Sequence, residues 1–305
     1  MTVIDFQKFD LLHCEDCKRF LQQHAQRGCA YSFANLNLWG RQQAAFLEGY
    51  LVLFSQFDRS SVYPFPVGSG DLKPVLDAII KDAQDRGILC RLTCLSAEDC
   101  MVLEELYPGK FQFHPDRDGC DYVYKIEDLA TLSGRKYQKK RNHLNKFRQK
   151  HPDCKILPLD ESTRSATIAM LKNWYASRLE QDPNIDLLLE QRAMRRAFHC
   201  MEALGLEGLV LEEKGEVLAM AMGSRLSEDT FDIHFEKARE DVDGAYPAIN
   251  QAFAAHLMDK YPTLRYLNRE DDMGIEGLRK AKLSYYPDHL ITKFWARLWE
   301  DADED

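Results

Sequence analysis

No apolar run in the 305-residue chain reaches the roughly 20 residues that a membrane-spanning helix needs, so a transmembrane segment is not expected. Residues Met1-Thr2-Val3-Ile4-Asp5 lack the basic region and apolar core of a secretory leader, and none is expected. Cysteine is present without a framework. Nine residues at irregular spacings are an odd set, read as reduced thiols of a cytoplasmic protein. Cys14-x2-Cys17, with His13, His24 and Cys29 nearby, has no second Cys pair, so no structural zinc and no other metal site is expected. The Gly-rich loop of nucleotide hydrolases and the Gly-x-Ser-x-Gly nucleophile elbow are both missing. What is there is ordinary globular composition, with 45% hydrophobic and 29% charged residues, which excludes a disordered or collagen-like chain.

Net charge is −9, unevenly spread: residues 1–155 balance at +2 and residues 156–305 at −11. The length suits two domains of about 150 residues each. The pattern of apolar positions predicts a helix over 11–26, a strand at 50–57 with a hairpin partner at 61–65, and a helix over 71–86 closed by Gly87. A strand at 88–95, a helix over 97–106, strands at 110–114 and 122–126, and one long basic helix over 127–150 complete the first half. The second half reads as a strand at 155–159, helices over 163–179 and 187–204, and three strands at 208–212, 216–225 and 230–237. A helix over 247–260, a strand at 264–267, a helix over 275–284 and a strand at 290–295 follow. Each half runs hairpin, helix, strand, helix and further strand. That order matches an α+β, N-acetyltransferase-like (GNAT) architecture in tandem, with mixed, mostly antiparallel sheets and helices on both faces. The expected boundary divides an N-terminal domain, 1–154, carrying the basic helix, from a C-terminal domain, 155–305, carrying the active site.

Four segments carry the chemistry. In Phe231-Asp232-Ile233-His234-Phe235-Glu236, strand alternation puts three apolar residues on one face and Asp232, His234 and Glu236 on the other. Ionisable groups so grouped tune one another for acid–base work, and these three are the expected catalytic residues. Gly244-Ala245-Tyr246-Pro247-Ala248-Ile249-Asn250 opens a helix at the place where GNAT enzymes hold the pyrophosphate of acyl-CoA. The usual signature there (Gln or Arg, two residues, Gly, any residue, Gly or Ala) is absent, and Glu240, Asp241 and Asp243 precede the helix. Acyl-CoA is therefore the less favoured donor. Asn268-Arg269-Glu270-Asp271-Asp272-Met273-Gly274 leaves the end of a buried strand, with Arg279 and Lys282 on the following helix. Tyr246, Asn250, Asn268, Arg269, Glu270, Asp271, Arg279 and Lys282 are the expected substrate-binding residues. Residues 135–150 hold eight Lys or Arg and no acid. Lys136, Lys139, Lys140, Arg141, Lys146 and Lys150 are the expected polyanion contacts, with tRNA favoured over lipid headgroups.

Together these segments resemble the phosphatidylglycerol lysyltransferase C-terminal domain family, a GNAT-like group related to the Fem peptidyltransferases. The matching pieces are Tyr31–Leu36 with Trp39; Leu129, Lys136 and Lys140–Phe147; His234–Ala238; Gly244–Asn250; and Asn268–Gly274 with Leu278-Arg279-x-Ala281-Lys282. The resemblance implies transfer of an aminoacyl group from aminoacyl-tRNA to an acceptor. The lipid synthases carry a membrane domain ahead of this region, so a soluble stand-alone member is expected here, with a small molecule or a lipid headgroup as acceptor. Glu236, or His234 beside it, is the expected base, and Arg269 or Lys282 the stabiliser of the oxyanion. An acetyl-CoA-type N-acyltransferase is the alternative. A non-catalytic adaptor that binds RNA or a membrane surface through the basic helix is the third reading.

Overall fold

The computed structural model describes residues 4–8, 14–22, 24, 28–40, 42–56, 60–182 and 187–299. The chain divides into two compact units. The first comprises Met1–Asp121, Asp271–Ile275 and Ile291–Asp305; the second comprises Tyr122–Glu270 and Glu276–Leu290. This partition differs from the boundary read at residue 154: the basic segment lies in the second unit, and the last strand returns to the first.

In the first unit, β1 (Gln7–Lys8), β2 (Gln42–Leu47), β3 (Tyr50–Gln56) and β4 (Ser61–Pro64) pair antiparallel in sequence. The short β5 (Val67–Gly68) also lies against β3. Helices α1 (Cys14–Gln22) and α2 (Phe33–Trp39) precede β2. His13 falls outside the described residues. Helix α3 (Leu72–Asp85) starts on Asp71, whose side chain accepts from the Lys73 amide, and buries Val75, Leu76, Ile79 and Ala83. β6 (Arg91–Leu95) runs parallel to β4, and helix α4 (Ala97–Leu106) follows with a capping box between Ser96 and Asp99.

β7 (Phe111–Lys125) is one long strand where two short ones were expected. Hydrophobic alternation lapses over its middle, so periodicity could not see its continuity.

The second unit opens with α5 (Ile126–Thr131), and α6 (Gln138–Lys150) follows after a 3-10 turn at Arg135–Tyr137. The expected single basic helix is thus broken. Leu132 takes a left-handed conformation at φ 50°, its amide closes on the Asp128 carbonyl, and Gly134 follows at φ 85°. Arg141 donates to the Leu132 and Gly134 carbonyls and so fastens the break.

Next come β8 (Lys155–Pro158), α7 (Glu161–Gln181), α8 (Leu188–His199), β9 (Leu206–Glu213), β10 (Glu216–Arg225), β11 (Thr230–Ala238), α9 (Ala245–Lys260), β12 (Tyr266–Asn268), α10 (Glu276–Leu283) and β13 (His289–Leu298). From Ile291 onward β13 belongs to the first unit, and there Phe294–Arg297 pairs antiparallel with β6. The strand order in the second unit is β7-β12-β11-β10-β9-β8. The meander β8–β11 is antiparallel, β12 joins β11 in parallel, and β7 joins β12 antiparallel. Ala219, Ala221, Phe231 and Ile233 of this sheet bury against Ile249, Phe253 and Leu257 of α9, with Leu129, Leu144 and Phe147 completing the cluster. Helix α7 packs on β10 from the other side.

The β10–β11 pairing shifts register between Met222 and Gly223. A Cβ on Gly223 would press into the Asp232 carbonyl and meet the Phe231 ring at 2.7 Å. Gly223→Ala is expected to lower stability by about 1–3 kcal/mol through overpacking, read as a fall in the denaturant midpoint.

Candidate functional site

The register shift decides where the ionisable residues of β11 point. Met222 lies opposite Phe235 and Gly223 opposite Ile233, so His234 is the extra residue of a β-bulge. Directly opposed residues share a face. Asp232 is paired with Ser224, and Glu236 with Ala221. Ser224 and Ala221 are three residues apart on one strand and face opposite ways. Asp232 and Glu236 therefore lie on opposite faces of the sheet. The expected single polar face of Asp232, His234 and Glu236 is corrected: the bulge inserts one residue and reverses the alternation beyond it.

On the α9 face, Glu236 accepts from Asn250 Nδ2 at 3.0 Å through one oxygen and from Arg269 Nη2 at 3.1 Å through the other. The Arg269 guanidinium stands 5.6 Å from the Tyr124 ring centroid and 5.0 Å from that of Tyr285. Burial works against the charge on Arg269, but Glu236, Tyr124 and Tyr285 outweigh it, and its pKa is raised. Burial also raises the phenols of Tyr124, Tyr285 and Tyr246. Two atoms of this group are buried with no hydrogen-bond partner among the described residues: Asn250 Oδ1, an acceptor, and Arg269 Nη1, a donor. Lys140 reaches the same place. Its Nζ donates to Ser284 Oγ at 2.7 Å and lies 3.8 Å from the Tyr285 ring centroid.

On the opposite face, His234 Nε2 lies 2.9 Å from Ser224 Oγ, and Nδ1 lies 3.0 Å from Glu270 and 3.7 Å from Asp232. Asp232 is fully buried and His234 nearly so. One ligand-type atom from each of Asp232, His234 and Glu270 lies within 4.8 Å of the others. Both ring nitrogens of His234 are taken up, by Ser224 and Glu270.

The loop after β12 serves both faces by alternation. Arg269 goes to Glu236, Glu270 goes to His234, and Asn268 Oδ1 accepts the Glu270 amide at 2.8 Å, holding Glu270 at φ 56°. Lys282, expected to meet substrate, donates to the backbone carbonyls of Arg269 and Glu270 and fixes that loop. Arg279 is half-buried on α10, and Asp271 belongs to the first unit.

The basic residues also divide. Lys136 pairs with Asp128 at 3.0 Å, Arg141 holds the α5–α6 break, and Lys140 turns into the site. Lys139, Lys146 and Lys150 remain exposed, the last two 2.6 and 3.9 Å from Asp243. The acids before α9, expected to repel phosphate, are each neutralised: Glu240 by Arg178, Asp241 by Arg239 and Asp243 by the lysines. Tyr124 and the inward turn of Lys140 escaped sequence reasoning; only the Tyr122-x-Tyr124 alternation signalled the former.

The family described as phosphatidylglycerol lysyltransferase, C-terminal, matches residues 21–297. A crystal structure of a conserved protein of unknown function from Bacteroides thetaiotaomicron is 36% identical, with a TM-score of 0.89 over 97% of this chain and 100% of that one. The structure of L-PGS from Bacillus licheniformis is 16% identical, with a TM-score of 0.65 over 96% of this chain and 93% of that one. An uncharacterized protein of Mycoplasmoides gallisepticum is 25% identical over 181 residues, which are 58% of this chain and 56% of that protein's length. GNAT- and Fem-type structures share the α+β, tandem GNAT-like fold expected from the sequence. No described helix is long and apolar enough to cross a membrane.

His234 makes its contacts inside the protein, so its loss is read in stability. His234→Ala is expected to lower the unfolding free energy by about 1–3 kcal/mol, because buried partners lose their hydrogen bonds. Chemical denaturation measures it, and an unchanged midpoint would show that the network adds nothing.

Proposed function

Because the chain belongs to the phosphatidylglycerol lysyltransferase C-terminal family, we propose that it is a transferase that moves an aminoacyl group from aminoacyl-tRNA to an amine or hydroxyl acceptor, with its site at Glu236, Arg269 and Asn250. The observation that carries this reading is the pair of unsatisfied buried atoms beside Glu236. Arg269 Nη1 asks for an oxygen, and Asn250 Oδ1 asks for an N–H or O–H. An aminoacyl ester offers both, a carbonyl oxygen and an ammonium, a few ångströms apart. As the acceptor attacks, the carbonyl oxygen gains negative charge, and a guanidinium already in place stabilises it without reorganisation. Glu236 holds that guanidinium and the Asn250 amide with its two oxygens, so it sets the geometry of both recognition groups. Asp232 and His234, on the other face, support the loop that presents Arg269.

The test supplies charged tRNA with a panel of acceptors, including phosphatidylglycerol vesicles and small amines, and reads products by mass spectrometry. Wild type is expected to form a new amide or ester, and Glu236→Gln, which loosens the placement of Arg269 and Asn250, to slow it by about 10²-fold. Transfer from acetyl-CoA with none from charged tRNA would replace this reading with the N-acetyltransferase alternative.

The exposed lysines of α6 suit the tRNA backbone. Replacing Lys139, Lys146 and Lys150 by Ala together is expected to weaken tRNA binding and flatten its salt dependence by about three released counterions. Filter binding across a salt series checks it. Equal affinity at every salt concentration would make α6 a solvated face and nothing more.

A further inference from the structure

We propose that Lys140 is the proton-accepting amine of the Glu236–Arg269 site. This rests on the transferase reading above and deepens it. Lys140 is half-buried on α6, among neighbours such as Lys139, Lys146 and Lys150 that stand in water. Its ammonium would share the Tyr285 ring with the Arg269 guanidinium, 3.8 Å and 5.0 Å from the centroid. Its polar partner is a neutral hydroxyl: Ser284 donates its own proton to the Ala281 carbonyl at 2.6 Å and accepts from Lys140. Among the described residues no carboxylate pairs with Lys140.

The groups that face it are Glu236 of β11, Arg269 after β12, and Ser284 and Tyr285 after α10; on its own segment, Lys136 pairs with Asp128 and Arg141 with the Leu132 and Gly134 carbonyls. Burial and then the Arg269 charge push the Lys140 pKa down to about 8, against the opposing pull of Glu236. A lysine so placed is substantially neutral at mildly alkaline pH and serves as a general base.

The acceptor nitrogen or oxygen attacks the ester carbonyl carbon, a C–N or C–O bond forms, and the carbonyl electron pair moves onto oxygen beside Arg269. The proton of the attacking group passes to the lone pair on Lys140 Nζ. The carbonyl re-forms, the ester C–O bond breaks, and the proton on Lys140 passes to the departing alkoxide. An alcohol leaves, and the neutral amine returns.

Pulse acetylation of the full chain with N-hydroxysuccinimidyl acetate over a pH series, read by peptide mass spectrometry, tests the amine without a substrate. Lys140 is expected to reach half-reactivity near pH 8, about two units below the side-chain amine of a free lysine peptide labelled in the same series. Arg269→Gln is expected to raise the Lys140 midpoint and Glu236→Gln to lower it. A Lys140 midpoint identical to that of the free lysine peptide overturns the proposal.

In the charged-tRNA assay, the wild-type rate is expected to rise with pH through about 8, because the neutral amine is the active form. Lys140→Gln and Lys140→Arg are both expected to lose this limb and about 10²-fold or more in rate, since arginine keeps the charge but cannot give up its proton. Full activity in Lys140→Arg, or an unchanged limb in Lys140→Gln, overturns the base role and leaves the transferase standing. No transfer by wild type at any pH, with Lys140 still titrating near 8, overturns the aminoacyl reading and the base role with it.

Discussion

One extra residue in β11 governs the polar architecture of the second unit. Without the bulge at His234, strand alternation would put Asp232, His234 and Glu236 on one face, three ionisable groups in mutual contact. With it, Glu236 turns to the α9 face, and Asp232 and His234 stay with Ser224. Gly223 makes the bulge possible, because β11 backbone and the Phe231 ring occupy the space a side chain would need. The loop after β12 then splits in step, Arg269 to one face and Glu270 to the other. Bulges re-aim side chains near functional sites, and here the re-aimed residue is the carboxylate that orders the site.

The second constraint is the break between α5 and α6. Leu132 in a left-handed conformation stops the first helix, and Gly134 at φ 85° precedes the turn from which the next begins. Arg141, by binding the carbonyls that the break releases, uses its charge locally. Tyr137 fixes the restart by donating to the Tyr285 carbonyl at 2.9 Å, which brings α6 beside the ring that Arg269 also meets. Lys140, three residues on, is thereby delivered to the site. A continuous helix would leave it one cation among many on a solvated stripe.

Much of this was legible in the sequence where periodicity is strong. The helix over 97–106 and the strand over 216–225 occur with the expected bounds, and α3 is shorter by one residue at each end. Asn250, Arg269 and Glu236 were picked out by residue type and position, and they meet. The missed features share a physical reason. β2 is a half-exposed strand of Gln and Ala with little alternation to read, and the bulge is one residue set by its partner strand rather than by its own neighbours. The Thr131-Leu132-Ser133-Gly134 break lies inside a basic run whose composition alone suggested one helix. Lys282 looked like a ligand group because cations near a strand end often are, yet its ammonium was needed by two backbone carbonyls.

The two faces of this sheet differ in what their side chains hold. Both hold buried carboxylates beside a basic partner. On the Asp232 face, His234 meets protein on both ring nitrogens and so ties Ser224 of β10 to Glu270 of the loop. On the Glu236 face, the carboxylate is satisfied, but the groups it orders each keep one buried hydrogen-bonding atom with no partner among the described residues. Leaving such atoms buried costs about 1–3 kcal/mol apiece, and a fold tolerates that where a ligand supplies what is missing. The donor on Arg269 and the acceptor on Asn250 are held side by side by Glu236, so the missing group must present an acceptor and a donor together. A neighbouring amine that loses its proton easily completes the requirement. In the proposed transferase, recognition and charge stabilisation draw on the same few contacts of Glu236, whose face is set by the residue inserted at position 234, and the proposed proton transfer draws on the amine that the α5–α6 break brings beside Tyr285.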